Sequence, residues 1–266
     1  MTLTAAHLNG LFDLFAGYDS LILNIMHRLA TSAGKILTPL MKLVTLLGEK
    51  GLLLIAVAVA LMLFARTRRA GVCMFGAIAC GAILTNFILK DWVARPRPLE
   101  IAPYLDWAKA LGVTEDGFSF PSGHVTAAMA GMSALCFTRG RKWIIPSVLW
   151  VLLMAVSRNY LMAHYPSDVL FAALVGLLSA IIAYLITLLI FRVLEDHDDL
   201  PLCAFLLDFS LFRRSAAADG EEDESDEDEE DDADSEPVRR PVVRRAAEPE
   251  EPRIPAAKGY QGKHLK

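Results

Sequence analysis

The sequence predicts an all-α protein: a polytopic transmembrane helical bundle of about five to six spans, with N-terminal amphipathic helices and a disordered cytoplasmic tail. Three observations point there. Of the 266 residues, 54% are hydrophobic and the mean hydropathy is +0.39, a balance rare in soluble domains of this length. Apolar runs follow one another along most of the chain. At Asp219 the composition then changes abruptly.

The apolar runs 70–89 and 169–191 exceed the roughly 18 uncharged residues that a spanning helix needs. Runs 52–65, 123–138 and 143–157 are shorter. They reach spanning length when extended by turns that carry a polar residue at the membrane edge. One such run could be a buried helix of a soluble protein, but a succession of five argues for a membrane. The segment 1–47 lacks a basic stretch followed by a long apolar core, so it does not read as a cleavable signal peptide. Its apolar residues recur at helical spacing: Leu8, Leu11, Phe12 and Phe15, then Leu21, Ile22, Ile25, Met26 and Leu29. That pattern suits one or two amphipathic helices at the interface, and it leaves open a tilted extra span through 36–47. The expected layout is therefore 1–47 amphipathic, 48–195 transmembrane core, 196–218 interfacial and 219–266 tail.

Basic residues set the expected topology. Arg66, Arg68 and Arg69 lie between the first two strong spans, and Arg139, Arg141 and Lys142 between the third and fourth. The positive-inside rule puts both loops and the C-terminus in the cytoplasm, with the protein in the cell membrane. The 91–122 loop and the 158–168 junction then share the external face. The four cysteines (Cys73, Cys80, Cys136, Cys203) lack zinc-site spacing and read as packing residues.

The tail is a separate object. Segment 219–236 has 14 acidic residues in 18, and 219–266 carries a net −9 within a whole-chain −5, which leaves about +4 for 1–218. The chain's acidity thus belongs to the tail and says nothing about a substrate. Such a segment cannot bury enough apolar surface to offset its ordering entropy, so disorder is expected. The Arg pairs 239–240 and 244–245 suit anionic headgroups of the inner leaflet. Nothing in the pattern suggests a nucleic-acid partner, and the oligomeric state is not legible.

Three polar clusters fall on the external face. The first is Lys90 followed by DWVARPRP, hence Arg95 and Arg97. Proline restricts the backbone around both guanidinium groups, and arginine suits a bidentate grip on phosphate. The second is Pro121-Ser122-Gly123-His124 at the start of an apolar run. A helix beginning there offers unpaired N–H groups and the positive end of its dipole to an anion. A plain helix cap would account for Ser122 and Gly123 but poorly for His124, which has a proton to offer near neutral pH. The third is Arg158, His164 and Asp168, with Pro166 and Ser167 opening the last span. Whether the helix reaches back to His164 or starts at Pro166, Asp168 is placed to hold one ring nitrogen and leave the other nucleophilic. An Arg158–Asp168 salt bridge is the plainer alternative, and it leaves His164 unexplained. The inventory suits attack on a phosphate ester by His164, with His124 protonating the leaving oxygen and no metal or cofactor required.

These clusters read KX6RP from Lys90 to Pro98, PSGH at 121–124, and SRX5HX3D from Ser157 to Asp168. In this order they resemble the three-part signature of the type 2 phosphatidic acid phosphatase family, which includes membrane lipid phosphatases and related haloperoxidases. The resemblance covers about residues 45–195. It implies that Lys90, Arg97, Ser122, Gly123 and Arg158 bind phosphate, with His164 as nucleophile, His124 as acid and Asp168 as orienter. Arg95 lies outside the signature and is an accessory cation. The implied substrate is a lipid phosphate or diphosphate, with undecaprenyl diphosphate favoured over phosphatidic acid or phosphatidylglycerophosphate. The haloperoxidases of the family are soluble, unlike this chain. A membrane scaffold or anion transporter would not need His164 beside Asp168.

Overall fold

The computed structural model describes residues 3–208; the tail 219–266 lies outside the described residues. Helix α1 (Leu3–Leu47) is followed by a short turn at Glu49–Gly51 and by α2 (Leu52–Met62). Helices α3 (Arg68–Ile83), α4 (Lys90–Val93), α5 (Tyr104–Leu111), α6 (Gly123–Arg139), α7 (Ile144–Tyr160), α8 (Pro166–Asp196) and α9 (Pro201–Asp208) complete the bundle. Among the described residues, four stretches are long and apolar enough to cross a membrane: Phe12–Met62, Arg68–Glu100, Arg141–Tyr160 and Pro166–Asp196. The 17-residue α6 runs through their centre and is mostly buried.

The N-terminal region, expected as one or two amphipathic helices, is helical from Leu3 to Leu47 with a kink. It is one helix with a non-helical residue at Ala33 (φ −125°, ψ 16°) upstream of Pro39, which removes a backbone donor from the helical ladder. Its second half is not an extra crossing. Thr38 bonds to Tyr160, Thr45 bonds to Ser157, and Leu54 and Leu61 meet Trp150 and Trp143 in one apolar cluster. The end of α1 thus lies along α7 while α2 packs mainly on α3, and Phe12–Met62 makes a single candidate crossing bent at Gly48–Gly51. The turn uses Lys50 and Gly51 at positive φ (49° and 70°), and a Cβ on Gly51 would meet Ala127 at 3.1 Å.

Close packing around α6 comes from small residues. A Cβ on Gly176 of α8 would lie 2.6 Å from the Thr126 carbonyl oxygen and 2.8 Å from Met129 Cβ. A Cβ on Gly71 would lie 2.5 Å from the Ala58 carbonyl oxygen. Such approach of backbones is how helices associate when the lipid is as apolar as leucine. Large side chains face outward instead, among them Ile145, Leu149, Leu174, Leu185 and Leu189, as a lipid-facing surface requires.

The two ends of the bundle differ in chemistry. At one end Arg139 donates to the Arg66 carbonyl, Arg69 pairs with Glu195, and Arg68 donates to the carbonyls of Leu206 and Leu207, tying down α9. His124, at the start of α6, is about 22 Å away from that end at 1.5 Å per residue. It marks the other end, where the three polar clusters gather.

Gly176→Val is expected to cost roughly 1–3 kcal/mol by overpacking, read as a lower thermal midpoint in detergent. Gly123→Ala, whose new carbon would meet nothing closer than 3.9 Å, is expected to leave the midpoint unchanged.

Candidate active site

Irregular backbone delivers the first cluster. Leu84–Leu89 is a π-helical turn, and a widened turn of this kind rotates the next residues around the helix axis. Lys90, directly after it, lines a cavity of about 480 Å³ together with Lys50, Arg97, Glu115, Gly123, His124 and His164. Ala94 then adopts φ 49° and ends α4. Arg97 comes next in extended backbone (φ −77°, ψ 154°) between two prolines.

Arg97 is held at every nitrogen. Its Nε donates to the Gly117 carbonyl at 2.8 Å, Nη2 to the Asp116 carbonyl at 2.9 Å and Nη1 to the Ala163 carbonyl at 3.0 Å. Nη1 also lies 3.3 Å from His164 Nε2. Arg158 is fully buried; its Nη2 donates to Glu115 Oε1, while Nε and Nη1 have no hydrogen-bond partner. Buried guanidinium N–H groups without partners are costly unless a ligand satisfies them. Ser122 Oγ is likewise buried and unpartnered, so it does not act as a helix cap. Gly123 and His124 line the cavity beside it.

Glu115 is a site residue that the sequence did not reveal. Its carboxylate reaches Arg158 through one oxygen and lies 3.6 Å from Arg97 Nη1 through the other. Burial would raise this carboxyl, but Arg158 and then Arg97 outweigh it and hold it below the ordinary value. The carboxylate thus sits between the two arginines. The signal was available only as an acid in the 112–119 loop, whose Gly112 and Gly117 turn at positive φ. Glu49 is the other unforeseen carboxylate; its Oε2 lies 3.5 Å from His124 Nε2.

His164 and Asp168 require a correction. Direct orientation of the imidazole by Asp168 is expected from the sequence, yet Asp168 Oδ2 lies 4.0 Å from His164 Nδ1, beyond a hydrogen bond. Nδ1 is instead 2.7 Å from the Ser119 carbonyl oxygen. A carbonyl only accepts, so Nδ1 carries the hydrogen and Nε2, on the cavity side, carries the lone pair that accepts from Arg97 Nη1 at 3.3 Å. The reason is local: α8 begins at Pro166, and Asp168 turns back to accept from the Tyr165 N–H at 3.0 Å and from the Ser119 hydroxyl. Asp168 therefore steadies the imidazole through Ser119, whose hydroxyl it binds and whose carbonyl the imidazole binds.

Arg95 also differs from its expected role. It is absent from the cavity lining and donates to Asp168 Oδ1 at 2.5 Å and Ser167 Oγ at 2.8 Å. No Arg158–Asp168 bridge forms, because Arg158 is engaged by Glu115. Burial, followed by the nearby Arg158 and Arg97, pushes His164 well below the ordinary imidazole value of 6.5, which favours the neutral ring.

Comparisons with known proteins bear on the family and on the fold. Residues 70–192 match the family model of the PAP2 superfamily. Phosphatidylglycerophosphatase B of Bacillus subtilis (strain 168) is 33% identical over 148 residues, which are 51% of this chain and 68% of that protein. The undecaprenyl-diphosphatase of Sulfolobus acidocaldarius is 28% identical over 122 residues, 46% of this chain and 57% of that protein. The match thus spans little more than half of the second relative's length. Among solved structures, a transmembrane PAP2-type phosphatidylglycerolphosphate phosphatase from Bacillus subtilis shares the fold, with a TM-score of 0.51 at 23% identity over 68% of this chain and 94% of that one.

Glu115→Gln is expected to tighten inhibition by inorganic phosphate about tenfold, since one charge-assisted contact no longer competes. An unchanged inhibition constant would show that Glu115 does not hold the phosphate position. The His164 imidazole, followed by nitrogen NMR, is expected to stay neutral as pH falls through 6.5; protonation at or above that pH would contradict the site's electrostatics.

Proposed function

The chain belongs to the PAP2 superfamily, and we propose that it is a membrane lipid phosphatase that works through a phosphohistidine on His164. The observation that carries this reading is the fixed tautomer: Nδ1–H is committed to Ser119, and Nε2 faces a cavity lined by Lys90, Arg97 and His124.

The reaction runs in two displacements. The phosphoryl group enters between Arg97 and Arg158, displacing the Glu115 carboxylate, so that Arg158 Nε and Nη1 and Ser122 Oγ gain partners. Nε2 of His164 attacks phosphorus as the bond from phosphorus to the leaving oxygen breaks, that oxygen departing with the lipid or, from a diphosphate, with the lipid monophosphate. His124 gives its proton to that oxygen. Burial and then Arg158 hold this imidazole well below its ordinary value; the negative charge of the arriving phosphate, with Glu49 3.5 Å from Nε2, offsets them so that His124 carries the proton for this step. His124, now neutral, takes a proton from water as the water oxygen attacks phosphorus. The N–P bond breaks, inorganic phosphate leaves and both imidazoles return to their starting states. Charge developing on the phosphoryl oxygens is met by cations already in place, which is the larger share of such catalysis.

Undecaprenyl diphosphate is the favoured substrate. Lys50 and Lys90 line the cavity beside the Arg97 cradle, offering cations to the second phosphate of a diphosphate while the terminal one is attacked. Phosphatidylglycerophosphate is the second reading, favoured by the relative at 33% identity. The basic loops at the opposite end of the bundle support a site on the external face and a cytoplasmic C-terminus.

Phosphate release from purified protein tests this against undecaprenyl diphosphate, phosphatidylglycerophosphate, phosphatidic acid and a water-soluble ester. Turnover is expected on the lipids, fastest on the diphosphate, to persist in excess EDTA, and to be lost in His164→Ala. Retained turnover in that variant would remove His164 as the nucleophile.

A further inference from the structure

An aspartate in the N-terminal helix is buried against the far side of the catalytic machinery. Asp19 is 3% exposed, in a helix that also turns Leu14, Leu21 and Ile25 outward, and a buried ionisable group persists only with full pairing. Both its oxygens are used. Oδ1 accepts from the Ser167 N–H at 2.8 Å, and Oδ2 accepts from Ser167 Oγ at 2.7 Å and from Arg95 Nη2 at 2.9 Å. Asp19 therefore supplies, from α1, a partner for the first turn of α8.

Arg95 joins this carboxylate to the next. One arm of its fork binds Asp19 and the other binds Asp168 Oδ1. Its guanidinium carbon lies 4.1 Å from the Phe12 ring centre and 3.9 Å from that of Tyr165, so stacking holds the plane while the hydrogen bonds fix its rotation. Asp168 then accepts from the Ser119 hydroxyl, and the Ser119 carbonyl accepts from His164 Nδ1. The Ser119 N–H donates back to the Arg95 carbonyl at 2.8 Å, closing the circuit.

We infer that Asp19 and Arg95 are a positioning pair that sets the orientation and tautomer of His164 through Asp168 and Ser119, making α1 part of the catalytic apparatus. The inference rests on His164 being the nucleophile. The family match at 70–192 includes Arg95 but not Asp19. Two carboxylates share one guanidinium, so losing Asp19 leaves Arg95 free to turn toward Asp168 alone and to pull it from Ser119. A lysine in place of Arg95 has the charge but no fork, and cannot bind both carboxylates in this geometry.

The test compares Asp19→Asn, Arg95→Lys, their double variant and Ser119→Ala, which cuts the relay without touching α1. The expected kcat loss is about tenfold in each single variant, the cost of a small misplacement of the nucleophile, with KM within about twofold. The double variant is expected to be no slower than Arg95→Lys alone, because both act through one route. Nitrogen NMR of the His164 imidazole provides a readout independent of turnover: wild type shows a single Nδ1–H form, and each variant shows averaging between tautomers. Wild-type kcat in Asp19→Asn, multiplying losses in the double variant, or slow variants with unchanged imidazole signals would each overturn the inference. A wild-type protein inactive on every lipid phosphate would instead sink the nucleophile reading, and the imidazole signals would still judge the coupling.

Discussion

The hydrogen bond from His164 Nδ1 to the Ser119 carbonyl, 2.7 Å long, is the contact on which the site depends. It decides which nitrogen of the imidazole is free, and a nucleophile with the wrong tautomer has no lone pair to offer. Much of the surrounding architecture keeps Ser119 where that bond can form. The 112–119 loop is anchored by Arg97 through the Asp116 and Gly117 carbonyls. Ser119 itself is held by Asp168 and the Arg95 backbone. Loop, RPRP segment and the start of α8 thus become one unit although they are far apart in sequence.

The second constraint is charge in a low-dielectric setting. Arg97 and Arg158 are buried, and buried cations need counter-charge or a ligand. Glu115 supplies that charge between them, so the cradle is tolerable to the fold before any phosphate arrives. Exchange of one anion for another costs less than neutralising bare guanidinium groups would. The same logic explains why Arg95 sits between two carboxylates rather than in the cradle.

Much of this was legible in the sequence. Apolar runs located the helices, and the spacing of Lys90, Arg97, Ser122, Gly123, His124, Arg158 and His164 pointed to phosphate chemistry. Charge bias in the loops placed those residues at one end. What the sequence could not show were contacts made by backbone and by distant carboxylates. Ser119 acts mainly through its carbonyl, which every residue has. Asp19 and Glu115 are acids whose partners lie 148 and 43 positions away, and periodicity carries no trace of such pairing. The i, i+4 spacing of His164 and Asp168 suggested direct contact, but the helix starts between them. The bend at Ala33 falls in the small and polar stretch 30–35, which interrupts the apolar spacing without saying whether one helix or two result.

The central claim is a covalent bond between phosphorus and His164 Nε2. Rapid acid-free quenching of the enzyme with a phosphorus-labelled lipid substrate, coupled to peptide mass spectrometry, tests it directly. The account predicts an acid-labile, alkali-stable label on the peptide containing His164, formed within one turnover and lost on hydroxylamine treatment. Label on another residue, or turnover with no labelled intermediate and no inversion-retention signature of double displacement at a chiral phosphate, would contradict it.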